Sequence, residues 1–351
     1  MSNKLFDFCI GNPPYQNDLT GDSNTATPVY HIFMDTAYSL SDKTMLITPA
    51  RFLFNAGYTP KDWNNQMLSD EHLKVISYIA DSATVFTGTD ITGGVAITYR
   101  DTEKTYGPIK IFTGFPTLNK ILQKVINADD FKSIEKIVVT SFAYHYTDIM
   151  YSENPNLTER ASKGHKYDIQ SNAFEKYKEV FHEVVPDNDQ YIRFLGRVGT
   201  QRQWRYIKRK YVNEVINLDK YKIFISMSDG AAGTIGNPVP ARIVGTPLLA
   251  SKGDGATMTF LSIGDFETSL EAQNCRTYIL TKFARTLLSV LKVTQHLTPG
   301  KWKYVPLQDF TASSDIDWSK SVHEIDLQLY RKYGLSVEEI NFIEANVKEM
   351  I

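Results

Sequence analysis

Cysteine and long apolar runs are both scarce in this sequence. Its two cysteines, Cys9 and Cys275, lie far apart, with no Cys-x-x-Cys spacing and no histidine partner nearby. A disulfide framework and a zinc or other metal site are therefore not predicted, and a reducing, cytoplasmic compartment fits this usage. The most apolar helical stretch, residues 278–293, is interrupted by three basic side chains. A membrane span, which needs roughly 18 uninterrupted apolar residues, is not predicted, and the first residues do not have the pattern of a signal peptide.

A large excess of charge of one sign is also missing. Lys and Arg number 38 against 40 Asp and Glu, so the net charge is −2, which argues against a uniformly basic nucleic-acid-binding protein. Between Arg193 and Val212, however, seven basic residues occur without an acidic one: Arg193, Arg197, Arg202, Arg205, Lys208, Arg209 and Lys210. Such a local cluster is typical of phosphate contact.

The most informative segment is Asn12-Pro13-Pro14-Tyr15, which follows the apolar run from Leu5 to Ile10. The length and the aromatic and β-branched content of this run predict a buried strand. Two consecutive prolines fix φ and remove two backbone donors, so we expect a stiff turn at the carboxyl end of that strand. In open α/β sheets, ligands bind at this position.

The chemistry that suits this turn is methyl transfer to an exocyclic amine. The lone pair of the adenine amine is delocalised into the ring, and two acceptors for its N–H bonds would localise it. The side-chain oxygen of Asn12 is one such acceptor. The carbonyl of Pro13, which Pro13 and Pro14 keep out of a helix, is the other. Tyr15 would stack on an extruded base, an interaction worth roughly 1–3 kcal/mol.

Residues Phe6 to Gln16 resemble the catalytic motif of adenine-specific DNA methyltransferases of the type IIG restriction–modification kind, in which modification and cleavage share one polypeptide. The resemblance implies S-adenosylmethionine as methyl donor, a flipped adenine in double-stranded DNA, and Asn12, Pro13, Pro14 and Tyr15 as the catalytic turn. It also implies that Phe86 lies against the other face of the adenine. The alternatives are an ordinary proline turn and, for Phe86, a core position between two strands.

The predicted fold class is α/β. By resemblance, residues 1–115 form the second half of a Rossmann-like methyltransferase sheet, residues 116–310 an α+β target-recognition domain, and residues 311–351 a short helical tail. In the first part, Thr27 and Pro28 predict the start of a helix whose apolar face includes Ile32 and Phe33.

Other patterns predict individual elements of the chain. Val85-Phe86 and residues 93–99 favour a strand–loop–strand pair, residues 278–293 one amphipathic helix, and residues 230–236 a glycine-rich turn. In the tail, Ser321 with Glu324 and Ser336 with Glu339 form capping-box patterns that begin two helices.

The basic cluster lies in the predicted recognition domain. Arginine and glutamine read guanine and adenine edges bidentately, so Arg193, Arg197, Arg202, Gln203 and Arg205 are predicted to contact bases. Lys208, Arg209 and Lys210 are predicted to contact phosphates, which position a protein without specifying sequence. The alternative is a solvated, merely basic helical face.

The resemblance begins in the middle of the family's catalytic domain. The glycine-rich turn that holds S-adenosylmethionine belongs upstream of the catalytic turn, and eleven residues precede Asn12. We therefore expect an apolar sheet edge unless a donor-binding subunit or an N-terminal half covers it, and this chain alone is expected to lack most of the donor pocket. The alternative function is a non-catalytic DNA-binding specificity module, a relic of such an enzyme. A nuclease triad is not predicted.

Overall fold

The computed structural model describes residues 4–17, 27–55, 58–88, 91, 93–293 and 295–351. The chain divides into two units between Asn119 and Lys120, inside a helix, α3, that spans Pro116–Ile126. The first unit contains β1 (Phe6–Gly11), α1 (Tyr30–Leu40), β2 (Ser41–Pro49), α2 (Lys61–Ser69), β3 (Leu73–Ile79) and β4 (Val95–Asp101). The described residues contain no helix long and apolar enough to cross a membrane.

Among the described residues, the second unit contains six α-helices and five 3-10 turns of its own, along with seven strands. The strands are β5 (Val138–Val139), β6 (Tyr191–Val198), β7 (Gln201–Lys208), β8 (Tyr221–Ser226), β9 (Leu248–Ala250), β10 (Asp254–Ala256) and β11 (Phe260–Phe266). The α-helices are α4 (Asp148–Glu153), α5 (Ala173–Lys176), α6 (Ser269–Leu280), α7 (Lys282–Ser289), α8 (Val322–Lys332) and α9 (Val337–Asn346).

The sheet of the first unit has the strand order β1-β2-β4-β3. β1 and β2 are parallel, joined through α1, with Cys9 opposite Thr44 and Gly11 opposite Leu46. β4 runs antiparallel to both of its neighbours. Because parallel strands end at the same edge of a sheet, the segments that follow β1 and β2 leave the sheet side by side.

β1 lies at the edge of this sheet, and the prediction that it is buried is wrong. The strand is where the apolar run placed it, but Phe6, Phe8 and Ile10 are 58%, 47% and 73% exposed. Cys9, on the other face of the strand, packs against the core that contains Met34. Within the described residues no further strand pairs with the outer edge of β1. The predicted apolar edge is therefore present.

The first helix, α1, begins two residues later than predicted. Its N-cap is Val29, and no side chain caps it. The buried residues are Tyr30, Met34, Ala37 and Tyr38, whereas Ile32 and Phe33 are 56% and 44% exposed. The predicted apolar face was therefore wrong at Ile32 and Phe33 but right at Ala37, because the buried face of the helix is centred on Tyr30, Met34 and Tyr38.

Two sheets form the second unit, with strand orders β10-β6-β7 and β5-β11-β8-β9. Buried aromatic residues dominate the core beside β6 and β7, including Tyr146, Phe174, Phe181 and Phe194. The chain as a whole is a mixed α/β protein with three sheets among its described residues.

The helices near the carboxyl terminus correct one prediction and confirm another. Residues 278–293 are not a single helix, because α6 ends at Leu280 and Thr281, whose hydroxyl accepts from Ala284 N–H, caps α7. Both predicted capping boxes are present: Ser321 with Glu324 begins α8, and Ser336 with Glu339 begins α9. Residues 311–351 belong to the same unit as residues 120–310, and the functional domain boundaries stay predictions.

Candidate functional site

The Asn12–Tyr15 turn lies where the sequence places it, directly after the carboxyl end of β1. Asn12 is exposed, so its amide is not consumed by packing. The turn is tied to the start of α1, since Val29 N–H donates to the Tyr15 carbonyl at 3.1 Å and Asn17 N–H donates to the Thr27 carbonyl at 3.0 Å. These bonds hold the turn against the helix that packs on the sheet.

Tyr15 and Phe86, which are 71 residues apart in sequence, meet in the structure. Their ring centroids are 6.1 Å apart and their planes are inclined at 77°, an edge-to-face contact. The hydroxyl of Tyr15 is buried without a hydrogen-bond partner among the described residues, and burial raises its pKa. A base held between the two rings would require them to separate and turn parallel, so the predicted stacking role stays a prediction.

A short capped turn positions Phe86. The carboxylate of Asp81 accepts from Ala83 N–H at 3.0 Å and begins the 3-10 turn Ser82–Thr84. Phe86 N–H then donates to the Ser82 carbonyl at 2.8 Å, while the Ser82 hydroxyl accepts from Ile91 N–H at 2.7 Å. Val85 and Phe86 therefore lie in a turn, and the predicted strand at this position is wrong. Phe86 is partly exposed rather than enclosed between strands.

Glycines fix the segment that follows β2 against the start of β4. Ala50 N–H donates to the Gly94 carbonyl at 3.0 Å. Gly93 and Gly94 have φ of +90° and +73°, and a Cβ on Gly94 would lie 2.3 Å from the Ile79 carbonyl oxygen. The left-handed backbone and this close approach both require glycine. Backbone contacts therefore fix the segment after β2 against the start of β4.

The basic cluster is a β-hairpin, not a helical face. β6 and β7 pair antiparallel from Tyr191 with Lys208 to Val198 with Gln201, and a 3-10 turn follows at Arg209–Tyr211. Five of the seven cations form ion pairs with acids: Arg193 with Asp254 (2.7 Å), Arg205 with Glu183 (2.9 Å), Lys208 with Asp189 (2.9 Å), Arg209 with Asp219 (2.8 Å) and Glu214 (2.9 Å), and Lys210 with Glu153 (2.6 Å). Sequence reasoning missed these acids because they lie outside the 193–212 segment.

The remaining predicted contacts lie toward the hairpin turn. Arg202 donates to the Ser226 hydroxyl at 3.1 Å and to the Thr246 carbonyl at 3.3 Å. Arg197 makes no side-chain hydrogen bond or ion pair to any described residue. The side-chain oxygen of Gln203 accepts from Arg205, and Trp204 packs between Arg193, 4.1 Å from its ring centroid, and a small apolar cluster. DNA contact by these residues stays a prediction.

The residues that the structure describes do not form a pocket for S-adenosylmethionine. A donor site of this kind needs a glycine-rich turn between a strand and a helix beside the catalytic strand. The described part of the first unit has no such turn, and the outer edge of β1 has no neighbouring strand there. Residues 230–236 form a turn, as predicted, but no α-helix follows it before the cis-linked Pro238 and Pro240.

Several known proteins are similar to this chain. An adenine-specific methylase of Mycoplasma pneumoniae is 31% identical over 93 residues, which are 26% of this chain and 22% of that protein. Among solved structures, the type IIG restriction endonuclease BpuSI is similar with 9% identity and a TM-score of 0.35, over 91% of this chain and 48% of its own. The ATP-dependent type ISP restriction–modification enzyme LlaBIII, solved bound to DNA, is similar with 12% identity and a TM-score of 0.22. The match covers 74% of this chain and 24% of LlaBIII.

This chain therefore spans less than half the length of each of these proteins. The family match is confined to the segment that carries Asn12–Tyr15 and Phe86. Residues 1–86 match the Eco57I restriction-modification methylase family, and the resemblance predicted from Phe6–Gln16 is thereby confirmed over that segment.

Proposed function

We propose that this chain is the catalytic-turn and target-recognition part of a DNA adenine methyltransferase of a restriction–modification system. The observation that carries the proposal is the position of Asn12. It is exposed at the carboxyl end of a parallel strand, beside an aromatic pair, Tyr15 and Phe86. The family match over residues 1–86 supports the same chemistry.

The turn acts by holding the amine of a flipped adenine. The amide oxygen of Asn12 and the carbonyl oxygen of Pro13 each accept a hydrogen bond from one N–H of the adenine amine. These two hydrogen bonds draw the lone pair of the amine nitrogen out of conjugation with the ring and direct it at the methyl group of the donor. Pro14 keeps the turn from closing into a helix, and Tyr15 stacks on the base. The chain's own residues therefore bind and orient the acceptor.

The methyl donor, S-adenosylmethionine, supplies an electrophilic methyl group, and its pocket belongs to a donor-binding half. The exposed apolar side chains of β1 and the outer edge of that strand provide the surface on which such a half would continue the sheet. Double-stranded DNA is the proposed substrate, held in part by the second unit.

A methylation assay with tritium-labelled S-adenosylmethionine and unmodified duplex DNA tests the role of Asn12 in a complex that contains the donor-binding half. Asn12→Ala should abolish methyl transfer, because one of the two acceptors is lost, while DNA binding is retained. Asn17→Ala, five residues along the same exposed segment, is the matched control and should methylate normally. Turnover by Asn12→Ala at the rate of the unmodified protein would contradict the assigned role.

The absence of a donor pocket from the described residues favours a second candidate, a DNA-binding specificity module without catalysis. Calorimetric titration with S-adenosylmethionine separates the two functions. Measurable affinity of the isolated chain, or a higher donor affinity of a donor-binding half when the chain is added to it, supports an enzyme. DNA binding by a chain that neither binds the donor alone nor raises the donor affinity of that half supports the specificity module.

A further inference from the structure

The β6–β7 hairpin separates its cations into two groups. The five that lie along the strands and at their far end are paired with carboxylates, as described above. The two nearest the turn, Arg197 and Arg202, have no carboxylate partner among the described residues. They lie directly opposite each other in the hairpin. The positive charge that remains uncompensated is therefore concentrated at one end of the element.

This end of the hairpin is narrow and open to solvent. The connection between the strands is two residues, Gly199 and Thr200, and Gly199 has a φ of +56°, as tight hairpin turns require. Arg197, Gly199, Thr200, Gln201 and Arg202 are all exposed. A two-stranded ribbon of this kind fits the major groove of B-DNA, which is about 12 Å wide.

The surroundings orient Arg202 without neutralising it. Its two hydrogen bonds go to uncharged oxygens of Ser226 and Thr246, and its guanidinium lies 5.7 Å from the ring centroid of Phe260. Partial desolvation of the guanidinium lowers the pKa of Arg202; Asp229 opposes this effect, and Arg197 lowers the pKa further.

Two acidic side chains lie near the tip, and neither forms an ion pair with Arg197 or Arg202. Asp229 also lies 3.7 Å from Arg242, and Glu175 accepts from the backbone N–H of Gly199. Like charges placed directly opposite each other on a hairpin are destabilising. An arrangement that costs stability in the free protein and leaves two guanidinium groups exposed is suited to an anionic partner.

We propose that the tip of the β6–β7 hairpin, through Arg197 and Arg202, enters the major groove of duplex DNA, and that the five carboxylate-paired cations stabilise the hairpin rather than contact the nucleic acid. The inference rests on the proposed function, for which it names the DNA-contacting element. A guanidinium can donate bidentately to guanine O6 and N7 or to a phosphate. The paired cations would first have to give up a carboxylate partner.

Fluorescence anisotropy with the full chain and a labelled, randomised duplex of about 30 base pairs, titrated at several salt concentrations, tests this division. Arg197→Gln and Arg202→Gln should each weaken DNA binding about tenfold. Each should also reduce, by about one, the magnitude of the slope of the logarithm of the association constant against the logarithm of the salt concentration. Arg209→Gln removes an arginine from the carboxylate-paired group. The DNA affinity of this variant should stay within about twofold of that of the unmodified protein. Lys210→Gln serves as a second control if Arg209→Gln lowers the melting temperature.

The outcomes distinguish this proposal from the broader one. If the unmodified chain binds duplex DNA but the two tip variants bind equally well, the assignment of the hairpin fails while the DNA partner stands. An equal loss in Arg209→Gln and the tip variants also overturns it, as does a preference for single-stranded DNA of the same sequence. If the unmodified chain binds no duplex, both the DNA partner and the role of the hairpin fail.

Discussion

The edge strand β1 and the central part of β6 contain similar residues but have opposite environments. Ile10 and Phe6 are largely exposed in the first unit, whereas Phe194 and Leu195 in the second are almost completely buried. An apolar pattern thus shows that a strand is suited to burial. It does not show whether another part of the same chain covers that strand. The second unit completes its own core, while the first leaves an apolar edge that another polypeptide can extend.

The largest expected effect is a core truncation in the second unit. Phe194→Ala should lower the free energy of unfolding by about 3–5 kcal/mol, because it opens a cavity in a fully buried aromatic cluster. The matched substitution Phe8→Ala in β1 should cost less than about 1 kcal/mol, since that ring is already half exposed. Urea denaturation followed by circular dichroism measures both. Equal costs would remove the contrast between the two strands.

Buried charge in the second unit gives the next effect. Asp326 accepts from Lys282 N–H and Phe283 N–H at 3.0 and 2.8 Å, and burial raises its pKa to about 6 from 3.8. Because the folded-state pKa lies above that of the unfolded chain, this group favours folding when protonated. Its contribution is greatest below about pH 4 and declines by up to about 3 kcal/mol as pH rises through 6.

The side chain of Asn in the Asp326→Asn variant cannot ionise. The free energy of unfolding of this variant should therefore lack the loss that the Asp326 carboxyl group causes as pH rises. Denaturant titrations of the variant and the unmodified protein at pH 4.5 and 7.5 give the comparison. The stability of the unmodified protein relative to the variant should fall between the two pH values. A difference that is constant with pH would show that the carboxyl group titrates normally.

Removing a helix cap is expected to have a smaller effect on stability, and this effect should differ between the two units. Ser336→Ala removes the side chain that accepts from Glu339 N–H at the start of α9 and should cost about 1 kcal/mol. Thr27→Ala, at the predicted but unused cap of α1, should cost less than about 0.5 kcal/mol. Thermal unfolding of the two variants is the measurement. A larger loss from Thr27→Ala would mean that α1 begins earlier than Tyr30.

The smallest expected effect on folding is at the open edge. Ile10→Lys should change the free energy of unfolding by less than about 0.5 kcal/mol but reduce self-association, because a charge on an edge strand opposes strand pairing. Light scattering over a concentration series measures the self-association. The buried Leu46 is left intact in the variant. Unchanged association would indicate that the β1 edge is not the surface through which copies of the chain meet.

The sequence predicted those features that depend on local chemistry. The strand before Asn12 and the two capping boxes follow from side-chain type and short spacings, and each is present. The break at Thr281 had a local signal too, since a threonine three residues before Ala284 can cap a new helix, but the continuous apolar pattern outweighed it.

What the sequence could not give are facts about distant partners. The pairing of Arg193 with Asp254 joins residues 61 positions apart, so a cluster of cations in the sequence does not reveal its own neutralisation. The exposure of Ile32 and Phe33 likewise depends on which face of α1 the sheet receives. Both are properties of the folded chain and not of any segment of it.

The two-residue turn at Gly199–Thr200 has one further consequence. Side chains alternate between the faces of a strand, so the length of this turn determines which residues of β6 and β7 share a face. One additional residue there would shift the pairing of Arg197 with Arg202 and move one of the two guanidinium groups to the opposite side. Turn length, more than side-chain identity, is the variable through which a hairpin of this kind could acquire a different target.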